Sequence, residues 1–455
     1  MKSRSIDFSQ SICHGAAMDE TAAPSDVPAD PTPGTVGASV GAEGPLGTNY
    51  WRLWSSSAMS NLADGVFKVA LPLVAIRFTR SPSQIAGLTF ALTLPWLLFA
   101  LQAGALADRL DRRRTMLGAN LGRAVLLAAL VAVVALDLGT IWVLYVVALG
   151  IGVAETIYDT SAQSILPQIV RRGQLSRANG RLYAAELTAN QFVGPPLGGF
   201  LVAAGAVAAF ATPAALWLIA VAALALVRGP FRIERDQRTT MRSDIAEGLR
   251  FLRGHRLLRT LAVMVGGFNL ASNAAFAMIV IYAVGPGSAM GLSEPAFGVL
   301  LTTVAVGSLV GSLVAERIER RFGRARSLTI AIGGSALLVG GPALTSNPYL
   351  LGAAFFVGGL TIVVWNVITV SLRQRITPDR LLGRVNSGYR MVAWGTMPIG
   401  AALGGLLGEL LGVRAVFAIM AGVTLALLAL MTQVTDARME AAEREADARE
   451  ATTDA

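Results

Sequence analysis

Six ionisable residues stand inside stretches otherwise too apolar to hold them: Asp64, Lys68, Arg123, Glu155, Asp159 and Glu186. A charge at the middle of a bilayer costs about 2.5–3.5 kcal/mol on insertion scales, so each must face protein or water. Carboxylates held in that way can load and release protons or bind a cation. Ser60, Asn61, Asp64 and Lys68 recur at spacings of three and four and share one helical stripe. Two readings of the stripe stay open. Either Asp64 and Lys68 neutralise each other, with Arg123 as a further partner, or Asp64 binds substrate or a coupling proton. Glu155, Tyr158, Asp159 and Gln163 form a second stripe. Two carboxylates one turn apart repel when both are ionised, which suits a group that changes protonation during a cycle. The alternative is pairing with arginines of a nearby loop. Asn269 and Asn273 lie one turn apart, and Trp365, Asn366 and Thr369 share a face. Each Asn alone could serve only to hydrogen-bond a neighbouring helix.

Membrane helices must position these residues. With 54% hydrophobic and 15% charged residues, the 455-residue chain is too apolar for an ordinary soluble domain. Twelve apolar runs of membrane length can be read, from 53–79 to 413–434, with the fifth at 182–204 and the eleventh at 387–411. The net charge of +9 could suggest nucleic acid. Its distribution argues otherwise, because Lys and Arg crowd the loops after even-numbered runs while Arg77, Arg80 and Arg414 stand nearly alone after odd-numbered ones. That asymmetry predicts both termini in the cytoplasm and no nucleic-acid partner. Cys13, His14 and His255 all fall outside the apolar runs. A disulfide, a cysteine or histidine metal site and an enzyme's catalytic constellation are therefore not expected, and neither is a cofactor. Scarce lysine beside abundant Arg, Ala and Gly hints at a GC-rich bacterial source.

A short cationic turn organises the chain. Gly104, Asp108, Arg109, Arg112 and Arg113 spell Gly-x-Leu-x-Asp-Arg-x-x-Arg-Arg between the second and third runs. A degraded copy lies 207 residues on, with Gly311, Glu316 and Arg317 followed by Gly323 and Arg324. Leu175, Arg177 and Asn179 return at the same offset as Leu382, Arg384 and Asn386, and Asp159 maps onto Asn366. Independent segments with one offset predict two halves of the same orientation, as in parallel-repeat transporters. The fifth run carries Asn190 and then Gly194, Pro195, Pro196, Gly198 and Gly199, whose glycines permit close helix contact and whose prolines bend the helix.

The loop signature and its repeat resemble those of the major facilitator superfamily, over roughly residues 50–434. The Ser-Asn-Leu-Ala-Asp-Gly run at residues 60–65 and the loop near Arg171 look like the branch of the enterobactin exporter and macrolide efflux proteins. The Gly-Pro-x-x-Gly-Gly end at Gly194 is similar to the superfamily's antiporter motif, although Asn190 stands where that motif has glycine.

The resemblance implies an all-α integral membrane fold of 12 transmembrane helices in two six-helix bundles. The predicted organisation is a cytoplasmic tail (1–47), an N-terminal bundle (48–228), a linker with an amphipathic helix (229–257), a C-terminal bundle (258–434) and a charged, solvated tail (435–455). Met1 and Met18 are both candidate starts. The resemblance also implies proton-coupled export of a small amphipathic compound across a bacterial cytoplasmic membrane, by a monomer contacting only its substrate and lipids. Asp64, Asn61, Lys68, Glu155, Asp159, Glu186, Asn269, Asn273, Trp365 and Asn366 would line the central cavity, and the residues of the cationic turn and its copy would gate it. The acidic surplus favours cationic or neutral cargo. An importer or facilitator of the same fold remains the alternative.

Overall fold

The computed structural model describes residues 44–229, 231 and 241–453, with side chains described except at 100–109, 163, 172, 241–245, 379–380 and 450–453. Most of the predicted N-terminal tail thus lies outside the described residues. Leu46, at its end, is buried against the foot of the first helix.

The first half consists of α1 (Thr48–Ala75), α2 (Pro82–Arg109), α3 (Arg112–Ala135), α4 (Ile141–Ile169), α5 (Leu175–Glu186), a π-helical segment (Leu187–Val193), α6 (Gly194–Ala204) and α7 (Ala206–Ala225). A linker helix, α8 (Met241–Gly254), leads to the second half. That half consists of α9 (Arg256–Ala283), α10 (Glu294–Phe322), α11 (Arg324–Leu344), α12 (Pro348–Ile376), α13 (Asp379–Leu411) and α14 (Val413–Ala426), which continues as a tighter turn over Leu427–Gln433. The chain closes with α15 (Asp436–Thr453). Among the described residues, eleven helices are long and apolar enough to cross a membrane. The twelfth crossing is the run α5, π segment and α6.

That crossing begins earlier than the expected run at 182–204, and the bend expected at its prolines takes the form of a π-helical segment just before them. Pro195 and Pro196 have no N–H to offer the carbonyls one turn earlier, so the ladder widens just before them. The carbonyl of Phe192, left without its usual donor, accepts a long 3.5 Å hydrogen bond from Thr302 Oγ1 on α10.

The half repeat extends to the backbone. α4 and α12 start 207 residues apart, as do α7 and α14. The single-residue corners before α7 and α14 are Gly205 (φ +135°) and Gly412 (φ +85°), where a side chain would be strained. Glycine also sets how closely helices cross. Gly307 and Gly311 of α10 lie against the backbone of Phe356 and Leu360 on α12, and Gly359 answers against Val304. In the first half, Gly152 of α4 meets the backbone of α2 at Leu92. With lipid outside, such close backbone approach replaces the hydrophobic effect as the cohesive force.

At the end far from the arginine-rich loops the two halves are joined. Arg77 pairs with Glu294 at 3.4 Å, Arg80 donates to the Val284 carbonyl at 2.9 Å, and Glu409 accepts from the hydroxyls of Ser81 and Ser83 at 2.9 and 3.0 Å. α10 packs along α6 and the π segment, and α2 runs against α13 of the other half.

Two segments are more closely docked than their sequences predict. The amphipathic linker helix α8 packs on the second half: Gly248 lies against the Arg384 backbone of α13, Glu247 pairs with Arg384, and Leu252 is buried. The charged tail is α15, held by buried Met439, by Asp436 accepting from the Ala325 N–H at 2.9 Å, and by Glu443 between Arg324 and Arg375 at 2.9 and 3.6 Å.

Replacing Gly359 by valine forces α10 and α12 apart and is expected to cost about 1–3 kcal/mol, as overpacking generally does. Thermal unfolding in detergent should show a lower midpoint for Gly359→Val, whereas Gly333→Val, where a Cβ meets nothing within 4 Å, should unfold near wild type.

Candidate functional site

The ionisable residues of the first half sort into two pairs and two unpaired acids. Arg123 comes from α3 and is wholly buried. Its NH1 lies 3.4 Å from Asp64 Oδ1 on α1, 3.3 Å from Asn120 Oδ1 and 3.5 Å from Ser60 Oγ. The rest of the guanidinium is covered by aromatic faces, 5.2 Å from the Tyr158 ring and 5.5 Å from that of Trp217. Cation–π contact stands in for acceptors there, since Arg123 Nε and NH2 have no hydrogen-bond partner. Asp64 is 8% exposed in its side chain, so this pair is an internal one.

Lys68, one turn further along α1, turns instead to Glu155 of α4, with Nζ and Oε1 3.0 Å apart. Asp64 is neutralised inside the protein by the further partner named above. Asp64 pairs with Arg123 rather than Lys68, and Lys68 takes Glu155. Asp159 is half-buried one turn after Glu155, without a hydrogen bond or ion pair of its own among the described residues. Glu186, at the end of α5, is exposed and likewise unpaired. Asn61 bonds back to Ser57 on its own helix.

In the second half, Asn269 donates to the Ala393 carbonyl of α13 at 2.7 Å and Asn273 donates to the Asn269 carbonyl. Trp365 and Asn366 line a cavity of about 100 Å³ enclosed by α9, α11, α12 and α14. The polar residues of the second half therefore serve that bundle's interior.

One cation of the pathway was not legible as such. Arg390 lies just inside the eleventh apolar run and reads in sequence as part of the preceding basic loop. On α13 its guanidinium stacks 4.1 Å from the Trp394 ring, which meets Trp96 of α2 edge-on at 4.6 Å across the seam. Arg390 and Asp159 are near enough to interact electrostatically. Its signal was the spacing of Arg390 and Trp394 at four, one helical turn. Arg373 stacks on Tyr389 in the same manner, at 4.1 Å.

The described members of the expected gating set bond as follows. Arg112 donates to the Ser164 carbonyl at 2.5 Å, and Arg113 donates to the Leu224 and Ala225 carbonyls at the end of α7, at 3.1 and 2.6 Å. Both thereby tie α3 to helix C-termini of their own half, where a cation offsets the dipole. Glu316 pairs with Arg320 on the surface, and Arg317 donates to the Leu313 carbonyl of its own helix. None of these described bonds crosses between halves. The side chains of Gly104, Asp108 and Arg109 lie outside the described residues.

The fifth-crossing motif does span the halves. Gly194 packs on Gly65 and Gly198 on Val66 of α1, while Pro195 and Gly199 lie against Gly298 and Glu294 of α10. One face of α6 thus belongs to each half.

Two repeated six-helix halves, joined at one end and enclosing charged groups between them, define a transporter of the major facilitator superfamily rather than an enzyme. A family model described as "Transmembrane secretion effector" matches residues 41–453, and the chain belongs to that family. It is 30% identical over 388 residues to the multidrug efflux pump Tap of Mycobacterium tuberculosis, covering 80% of this chain and 88% of that protein. Among solved structures it resembles the nucleoside transporter NupG, with a TM-score of 0.66 at 15% identity over 85% of this chain and 99% of that one. It also resembles a bacterial homologue of the iron transporter ferroportin in an inward-facing state, with a TM-score of 0.66 at 16% identity over 86% and 99% of the two chains. At such identities the likeness is one of fold.

Removing one member of a buried ion pair typically costs about 3–5 kcal/mol, because the other is left charged and unsolvated. Arg123→Ala should therefore lower the unfolding midpoint sharply. Lys68→Ala, which removes a cation 38% exposed but strands Glu155 at 12%, should lower it less than Arg123→Ala. Parallel thermal melts in detergent compare the two.

Proposed function

We propose that this protein exports a small amphipathic compound, cationic or neutral, in exchange for protons by alternating access. The observation that carries the reading is the pair of unpaired acids. Arg123 and Lys68 neutralise Asp64 and Glu155, which leaves Asp159 and Glu186 to bind what passes. In this scheme a proton and a cationic cargo compete for Asp159. Loading by one discharges the other, and the neutralised site lets the halves change their tilt. The end where Arg77, Arg80 and Glu409 bond the halves together faces away from the cytoplasm if the arginine-rich loops are cytoplasmic, as their charge implies. Both termini then lie in the cytoplasm and the membrane is the bacterial inner one. The superfamily norm is a monomer, and we adopt it here.

Export is supported by relatives named as multidrug efflux pumps. Import stays a second reading because the fold also resembles a nucleoside transporter. Gly104, Asp108 and Arg109 would act as the cytoplasmic latch beside the locally bonded Arg112 and Arg113.

Ethidium accumulation in pump-deficient bacterial cells tests the reading. Expression should lower accumulation, and a protonophore or Asp159→Asn should restore it. Uptake that instead rises on expression would establish import, and export insensitive to the protonophore would sink the proton coupling. Asp108→Asn should insert normally yet turn over more slowly; a normal rate would remove its latch role.

A further inference from the structure

The two halves are related by the repeat, yet their interiors differ at one place. In the first half Arg123 occupies the bundle centre between Tyr158 and Trp217. Arg123 and Ser335 stand equally far from the first residues of their helices, Arg112 and Arg324. Trp217 corresponds to Thr424 and Tyr158 to Trp365 at the repeat offset. Two large side chains of the first half are thus a serine and a threonine in the second. The volume they vacate is the cavity of about 100 Å³ lined by Ser335, Thr424, Trp365, Asn366, Phe268 and Asn269, among others.

The cavity is neither a sealed void nor a purely greasy one. Ser335 is only 7% exposed, and its hydroxyl has no hydrogen-bond partner among the described residues. The Trp365 indole N–H and the Asn366 amide also have none, and neither appears among the sealed, unsatisfied buried atoms. Thr424, by contrast, spends its hydroxyl on the Met420 carbonyl. Asn366 is exposed and Asn269 half-buried, so the mouth opens at their side of α12 and α9. Apolar walls with a few convergent polar groups are the usual make-up of a small-molecule site. Buried cavities of about 150 Å³ already take up benzene. The space here, about 100 Å³, is smaller than that, so a ring enters it with part of the ligand left in the open mouth.

We propose that this cavity is a binding subsite for a single aromatic ring bearing a hydroxyl or other polar substituent, received by Ser335 and Trp365. The export reading then supplies the rest of the ligand: an arylalkyl cation whose ring enters the second half and whose charge faces Asp159. The ring site rests on that reading only for the cationic part, and the experiment separates the two.

Purified full-length protein is titrated with para-fluorophenol, followed by its fluorine NMR signal, and separately with ethidium. Thr424→Trp restores the residue type of the first half and fills the cavity, and Ser335→Met fills it by a different route. Both variants should weaken para-fluorophenol binding at least tenfold relative to wild type. Asp159→Asn should leave that binding unchanged while weakening ethidium. Absence of para-fluorophenol binding in the wild type would mean that the space holds only water and would overturn the subsite. Equal binding in wild type and in both cavity-filled variants would overturn it as well. Loss of para-fluorophenol on filling, with ethidium neither bound nor exported, would keep the subsite and reject the cationic export reading.

Discussion

An arginine in hydrocarbon cannot stand alone, and much of the first half is arranged around that fact. Arg123 is wholly buried, and three helices converge on it: α1 with Asp64 and Ser60, α4 with Tyr158, and α7 with Trp217. The desolvation cost of such an ion is offset only when its counter-charge is held in good geometry. Asp64 is thereby committed to structure. That pairing lets Lys68 reach Glu155 and leaves Asp159 outside both pairs, with Arg390 of the other half as a near cation. The chemistry available to the pathway follows from one buried pair.

The second organising feature is the fifth crossing. Its prolines release carbonyls, its ladder widens, and its glycines lie flat against both α1 and α10. A helix that packs backbone to backbone on each half is held by shape rather than by specific bonds. Sliding contacts of this kind can be remade at a different tilt with little loss, whereas Trp96 on Trp394 is a side-chain contact that must part.

Much of the fold could be read from residues alone because the repeat is carried by backbone-determining positions: Gly104 and Gly311 inside α2 and α10, and Gly205 and Gly412 at the corners before α7 and α14. Helical periodicity placed Asp64 and Lys68 on a common stripe. It could not say which partner each meets, since that depends on the rotation of α3 and α4 about their own axes. α15 reads as solvated because its charges alternate, and only Met439 and the preceding Val434 betray the docked face. The cavity was invisible for a related reason. Ser335 and Thr424 are unremarkable small residues until their counterparts Arg123 and Trp217 are seen to fill the same place.

The three arginines at the sparsely charged end form an unusual set. Arg77, Arg80 and Arg414 donate to the carbonyls of Val202, Val284 and Ala343, each at or near a helix C-terminus. Arg80 does so across the two halves. Opening this end must exchange that bond, and the one between Arg77 and Glu294, for water. The free-energy gap between the two facing conformers is then set partly by how well these cations hydrate. A charge bias usually discussed as a matter of insertion would also tune a resting population, and ionic strength on that side of the membrane would act as a dial on which conformer waits for cargo.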